Sequence, residues 1–264
     1  MTESVAGGEH IGAGSLFDVT LGREGGRAVV EKRILPRFRR EPPARAALVR
    51  EAHVLAAAKH PSLPELLRVG SDDKGPFLVE TFVAGASIRR IVDSWSGRGG
   101  TPPRLVAHLA RQAFAMLAEL AELSGESGPL GFVHGDIGPD HVILGPVGEA
   151  RLIDFGAARI AGLEQALIGN DRGTLPFVAP EVARGEAAPS QATDVYGLAA
   201  TVLFLGSGKP LTTARDEGAM LAEVGTRGVL VALLGEIDAF REREKVALAR
   251  ALALDPTQRI ATAA

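Results

Sequence analysis

The chain has 264 residues, 46% hydrophobic and 23% charged, with a formal net charge of -3, and so lacks the broad basic surface that a nucleic-acid partner requires. It contains no cysteine, which excludes disulfides, thiolate metal sites and a cysteine nucleophile, and which fits a cytoplasmic setting. The polar start MTESVAGGEH does not read as a secretory signal. The longest apolar runs, Gly197 to Leu205 and Gly228 to Leu234, are too short to cross a bilayer as a helix, so the chain is expected to be soluble, without a membrane segment.

In chain order, the first ninety residues predict strands with one helix set among them. Val19 to Leu21 and Arg27 to Arg33 flank the turn-forming Glu24-Gly25-Gly26 and predict a hairpin. After a break at Pro42-Pro43, Ala44 to Lys59 carries apolar residues at helical spacing and stops at His60-Pro61. Leu66 to Val69 and Pro76 to Phe82 predict a second strand pair around a polar turn. Beyond Val83-Ala84-Gly85 the period becomes helical. Pro103 to Leu123 is the clearest case, with Leu105, Leu109, Met116, Leu120 and Leu123 near one stripe, which is core rather than a binding face. Further helices are predicted at Gln191 to Leu205, Gly218 to Ala239 and Glu242 to Leu254. Between lies a long irregular stretch from Gly128 to Gly185, rich in Gly, Pro and Asp, where chemistry is to be sought.

Ile11-Gly12-Ala13-Gly14-Ser15-Leu16-Phe17-Asp18-Val19 has the Gly-x-Gly start of a phosphate-covering loop, because glycines let backbone approach phosphate oxygens. In a chain with 32 glycines this alone is close to chance, and a plain turn is the simpler reading. Lys32 on a predicted strand would place an ammonium against α and β phosphates, and Glu51 on the following helix would hold it as an ion pair. Either residue alone is usually a solvated surface charge. The most informative block is His134-Gly135-Asp136-Ile137-Gly138-Pro139-Asp140-His141 followed by Leu152-Ile153-Asp154-Phe155-Gly156. Two aspartates on either side of a short apolar hairpin suit a site where one receives a hydroxyl proton and the other grips a phosphate-bound Mg²⁺.

On these residues the chain resembles eukaryotic-like Ser/Thr protein kinases of bacteria, from about Ile11 to Ile260. The resemblance implies an α+β, bilobal protein-kinase fold: a small antiparallel β-sheet lobe with one main helix over residues 1–83, and a larger, mostly helical lobe over 84–264. It implies ATP and Mg²⁺ as cofactors, with Ile11, Gly12, Ala13, Gly14 and Val19 over the nucleotide, Lys32 and Glu51 on its phosphates, Asp136 as catalytic base and Asp154 as metal ligand. Phe77 to Val83 resembles the strand entering the hinge, where backbone groups of Thr81 and Val83 would meet adenine and Glu80 takes the gatekeeper place, either pairing with a neighbour or shaping the pocket. The plain alternative is a strand with a solvent-facing Glu80. Gly173 to Glu181 resembles the end of an activation segment, with the Thr174 hydroxyl against the base. Asp194-Val195-Tyr196-Gly197 and Asp255 to Arg259 resemble late motifs, the first anchoring the catalytic loop and the second pairing Arg259 with Glu181.

Three positions depart from the family pattern. Gly135 stands where most members have Arg, Gly138 where Ser/Thr kinases have Lys, and His141 where an Asn helps bind a second metal. Between Asp154 and Gly173 no Ser, Thr or Tyr is present, so the missing Arg agrees with a missing phosphosite. Loss of the Gly138 cation should slow transfer, and His141 is a metal ligand that prefers softer ions than Mg²⁺. The expected function is ATP-dependent transfer to Ser/Thr hydroxyls of an unnamed protein substrate. The alternatives are a pseudokinase that binds nucleotide or docks partners, and a small-molecule phosphotransferase of the same superfamily. The sequence does not disclose the oligomeric state.

Overall fold

The computed structural model describes residues 8–13, 16–169 and 173–259. Gly14, expected over the nucleotide, lies outside them. A five-stranded antiparallel sheet comes first, built from β1 (Glu9–Ala13), β2 (Phe17–Glu24), β3 (Arg27–Ile34), β4 (Leu66–Asp72) and β5 (Gly75–Thr81) in the order β1-β2-β3-β5-β4. The β2–β3 turn is two residues long, with Glu24 opposite Arg27 and both Gly25 (φ 55°) and Gly26 (φ 82°) left-handed. That geometry matches the strand twist and is open to glycine at low cost.

Helix α1 (Pro42–Ala57) packs on this sheet. Here the expected break at Pro42-Pro43 is corrected: the two prolines are the first helical residues, where a missing N–H costs nothing, so they start the helix. Phe17, Ile34 and Leu78 from the strands meet Ala44, Ala47 and Leu48 from α1 in one apolar cluster. Phe17, which stands where the family commonly has a third glycine, is therefore core.

The second lobe is helical. It contains α2 (Ile88–Trp95), α3 (Pro103–Ala121), α4 (Pro180–Ala183), α5 (Gln191–Ser207), α6 (Glu217–Arg227) and α7 (Glu242–Ala251). The long irregular stretch holds the short strands β8 (Gly128–Pro129), β9 (Val142–Leu144) and β10 (Ala150–Leu152); β8 pairs with β7 (Ser124–Gly125) just before it, and β9 pairs with β10 and with β6 (Ala86–Ser87). Along α5 every residue from Thr193 to Leu205 is buried, its start fixed by a Ser190–Thr193 capping box and its end by left-handed Gly208. Each fully buried Leu or Phe contributes about 1.5–3 kcal/mol of transfer free energy, so this helix is the spine of the lobe. The single helix expected over Gly218 to Ala239 is two elements: α6 stops at Gly228 (φ 66°), and a 3-10 turn follows at Val231–Glu236. Among the described residues no helix is long and apolar enough to cross a membrane.

Candidate active site

Strand register places the first charges. Lys32 on β3 is opposite Val19 on β2 and Leu78 on β5, while Val30 is opposite Glu80. Because residues two apart share a strand face, Lys32 and Glu80 are diagonal neighbours on the same face. Lys32 is 6% exposed; its Nζ donates to Glu51 Oε1 on α1 at 2.5 Å and lies 3.2 Å from Glu80 Oε1. Burial works against the ammonium charge, but the carboxylates of Glu51, Glu80 and Asp154 outweigh it and raise the Lys32 pKa above its usual value. Glu51 Oε1 also accepts the Phe155 N–H at 3.1 Å, so one carboxylate ties β3 to the loop after β10. The reading of Glu80 as solvent-facing is thus corrected: it is 3% exposed and paired with Lys32.

That loop carries Asp154, the one non-glycine residue with a left-handed φ (68°) among the described residues. Asp tolerates this region better than most side chains, and its strain is typical of functional loops. Asp154 Oδ1 accepts the Gly156 N–H. The surrounding protein opposes its charge, yet Lys32, His141 and the Gly156 N–H prevail and hold its pKa down to about 2. Phe155 is buried with its ring against Phe132 and, edge-on, against His134.

The loop from His134 to His141 is fastened from below. Asp194 on α5 accepts the His134 N–H at 2.6 Å and the Gly135 N–H at 2.9 Å. His134 accepts the Asp136 N–H through Nδ1 and donates from Nε2 to the Ile153 carbonyl; burial depresses its pKa to about 3 and keeps the ring neutral. Asp136 accepts two bonds from Thr174, the backbone N–H to Oδ1 at 2.7 Å and the hydroxyl to Oδ2 at 3.2 Å. Burial raises the Asp136 pKa against the pull of His141 and Thr174. His141 donates from Nδ1 to the Asp136 carbonyl at 2.7 Å, which leaves Nε2 facing Asp154 Oδ2 at 3.8 Å. Farther on, Arg259 and Glu181 form a buried two-pronged ion pair with both contacts at 2.6 Å.

The remaining expected positions line the sheet side. Gly12 is opposite Val19, across an irregularity in the β1–β2 register, and among the described residues a Cβ added there would meet nothing within 4 Å. Ile11 is exposed, and Ala13 is opposite Asp18 at the strand end. Thr81 closes β5, its N–H bonded to the Glu65 carbonyl at 2.9 Å, and Val83 follows two residues later. Sequence reading did not anticipate Arg89 on α2, which donates its N–H to Pro139 and lays its guanidinium over Phe204, 3.4 Å from Asp140 Oδ2. Ile88, Ile91 and Val92 at helical spacing place a helix there but say nothing of what Arg89 touches.

Among the described residues no group of three or more His, Cys, Asp or Glu side chains is arranged to hold a metal. Mg²⁺ is usually held by one or two carboxylates together with substrate phosphates and water. Asp154 is the hard, ionised oxygen donor suited to that part; the His141 Nε2 beside it, whose pKa Asp154 and Asp136 raise against burial, would be a softer donor only once deprotonated.

The protein kinase domain family model matches residues 6–263. The chain is similar to the serine/threonine-protein kinase PknK of Mycobacterium bovis, with 32% identity over 165 residues, 62% of this chain and 14% of that protein. It is similar to the probable serine/threonine-protein kinase PkwA of Thermomonospora curvata, 28% identical over 219 residues, 81% of this chain and 28% of the other. A third relative is the probable serine/threonine-protein kinase PknB of Lactococcus lactis, 25% identical over 206 residues, covering 76% and 31%. The chain spans less than a third of the length of each of these relatives. With nearly all of its residues covered by the family model, on the two-lobed frame described above, the chain belongs to the protein kinase family.

Proposed function

We propose that this chain is an ATP- and Mg²⁺-dependent catalytic domain that transfers a γ-phosphate to Ser or Thr hydroxyls of a protein substrate. The observation that carries the reading is the convergence of Lys32, Glu51, Asp154, His141, Asp136 and Thr174 through a continuous run of bonds and charge contacts. In this reading Lys32, steadied by Glu51, binds the α and β phosphates, while Gly12 and its neighbours cover them. Asp154 would hold Mg²⁺, whose charge would offset that of the nucleotide phosphates. Asp136 orients the acceptor hydroxyl and takes its proton, and the Thr174 N–H on Oδ1 keeps the carboxylate aimed for that task. His141 braces the Asp136 carbonyl and faces the metal ligand. The absence of a Gly138 side chain predicts slow turnover, because a cation beside the transferring phosphate is missing.

Purified chain incubated with labelled ATP and a generic protein acceptor should incorporate phosphate, and Asp136→Ala should lower the rate by about 10²–10⁴-fold. Equal incorporation by both proteins would remove the transferase reading. A second reading, a domain that binds nucleotide without transferring phosphate, draws on Gly138 and on the histidine at 141; Mg²⁺-dependent nucleotide binding with no transfer would favour it.

A further inference from the structure

Lys32 faces more negative charge than phosphate binding needs. Glu51 is held from two sides, by the ammonium at 2.5 Å and by the Phe155 N–H. Among the described residues both carboxylates have a buried Oε2 without a hydrogen-bond partner, but Glu80 has only one contact on Oε1, the same ammonium at 3.2 Å, and no backbone N–H beside it. The ionisable groups facing Glu80 are Lys32 from β3, Glu51 from α1 and Asp154 from the loop after β10; β4, on its other side, contributes Leu66, which is apolar. One cation therefore stands among three carboxylates, in the place where a triphosphate would have to enter.

We propose that Glu80 is an exchangeable partner of Lys32: it holds the ammonium in the nucleotide-free chain, yields it to the incoming phosphates, and takes up a proton from solvent as it lets go. Glu51 stays bound, because leaving would also orphan the Phe155 N–H. Glu80 lacks such a second tie, and once the ammonium turns to phosphate its buried carboxylate is left without a counter-charge and close to new negative charge. The group is already prepared for this, since burial raises its pKa to about 7 against the pull of Lys32. The bond balance is simple: no covalent bond changes in the substrate, and one O–H forms on Glu80 from a solvent proton. This inference rests on the nucleotide-binding reading above and adds a linkage that the reading does not require.

The test is calorimetric titration of the intact chain with MgATP at pH 8, in buffers of different ionisation enthalpy, for the native protein and for Glu80→Gln. At this pH MgATP itself carries no titrating proton, so uptake reports on the protein. The native chain should take up about one-half to one proton per nucleotide, and Glu80→Gln close to none while binding several-fold more tightly. Should Glu80→Gln fold poorly, the native chain alone still decides, because its MgATP affinity should weaken about tenfold from pH 7 to pH 8.5. Equal proton uptake by the two proteins, or a pH-independent native affinity, would overturn the exchange while leaving nucleotide binding intact. No binding by either protein would overturn both.

Discussion

Two glycines in one loop illustrate how differently a single residue type can be required. At Gly135 φ is 80°, and a Cβ built there would lie 2.6 Å from the Ala157 carbonyl oxygen, closer than real carbon atoms come. At Gly138 the same construction meets Phe177 at 3.9 Å, an ordinary contact. Both read alike in sequence, as departures from the family pattern at Arg and Lys positions, yet only the first is imposed by the backbone. Gly135→Ala should therefore lower the free energy of unfolding by about 1–3 kcal/mol, measured by denaturant titration, since left-handed strain and the carbonyl clash act together. A variant as stable as the native chain would show that the loop can turn to admit a side chain. The identities of Lys32, Glu51, Asp136 and Asp154 were legible because each sits in an ordered motif; the Lys32–Glu80 contact was not, because it follows from strand register, which no local pattern displays.

Among elements, those with strong end signals were read most easily. Helix α3 and the strand pairs β2–β3 and β4–β5 have long periodic runs bounded by turn residues, and they fall within a few residues of expectation. Helix α2 lies in the region read as helical and carries Ile88, Ile91 and Val92 at helical spacing but was not bounded as an element of its own, and β1, with five residues, is too short to display a period. Gly228 ends α6 inside a run that looked continuous because alanine and leucine favour a helix on either side of it. Elements distant in sequence are also joined by charge. Arg259, just past α7, binds Glu181 on α4 with both oxygens, donates to the Ala253 and Leu254 carbonyls, and stacks over Tyr196 of α5. Removing one partner leaves a buried charge without compensation, so Arg259→Ala should cost about 3–5 kcal/mol in unfolding free energy. A loss below 1 kcal/mol would mean that the carboxylate finds water or another donor.

For the whole molecule, a few bonds whose endpoints lie far apart in sequence hold the site together, Glu51 joining the sheet lobe to the helical lobe and Asp194 fastening the helical lobe's own loop. Glu51 reaches from α1 to both Lys32 and Phe155, and Asp194 reaches from α5 to the loop holding Asp136. None of these bonds depends on a phosphate. The segment after Asp154 has no hydroxyl side chain before Thr174, and no arginine stands at 135 to receive a phosphorylated loop. Activity should accordingly be present in protein shown by mass spectrometry to carry no phosphate between Arg159 and Arg172, and phosphatase treatment should leave the rate unchanged. A strong rise in rate with phosphate mapped to that segment would contradict the prediction.

The clasp of Thr174 on Asp136 has a further consequence. Its hydroxyl has the same chemistry as the proposed acceptor side chain, and it touches Oδ2 over 3.2 Å, whereas the backbone N–H grips Oδ1 over 2.7 Å. In the proposed reaction an acceptor alcohol would trade places with the looser of the two while the tighter one keeps the carboxylate aimed, so that Thr174 would rehearse with its own side chain the handshake offered to a stranger.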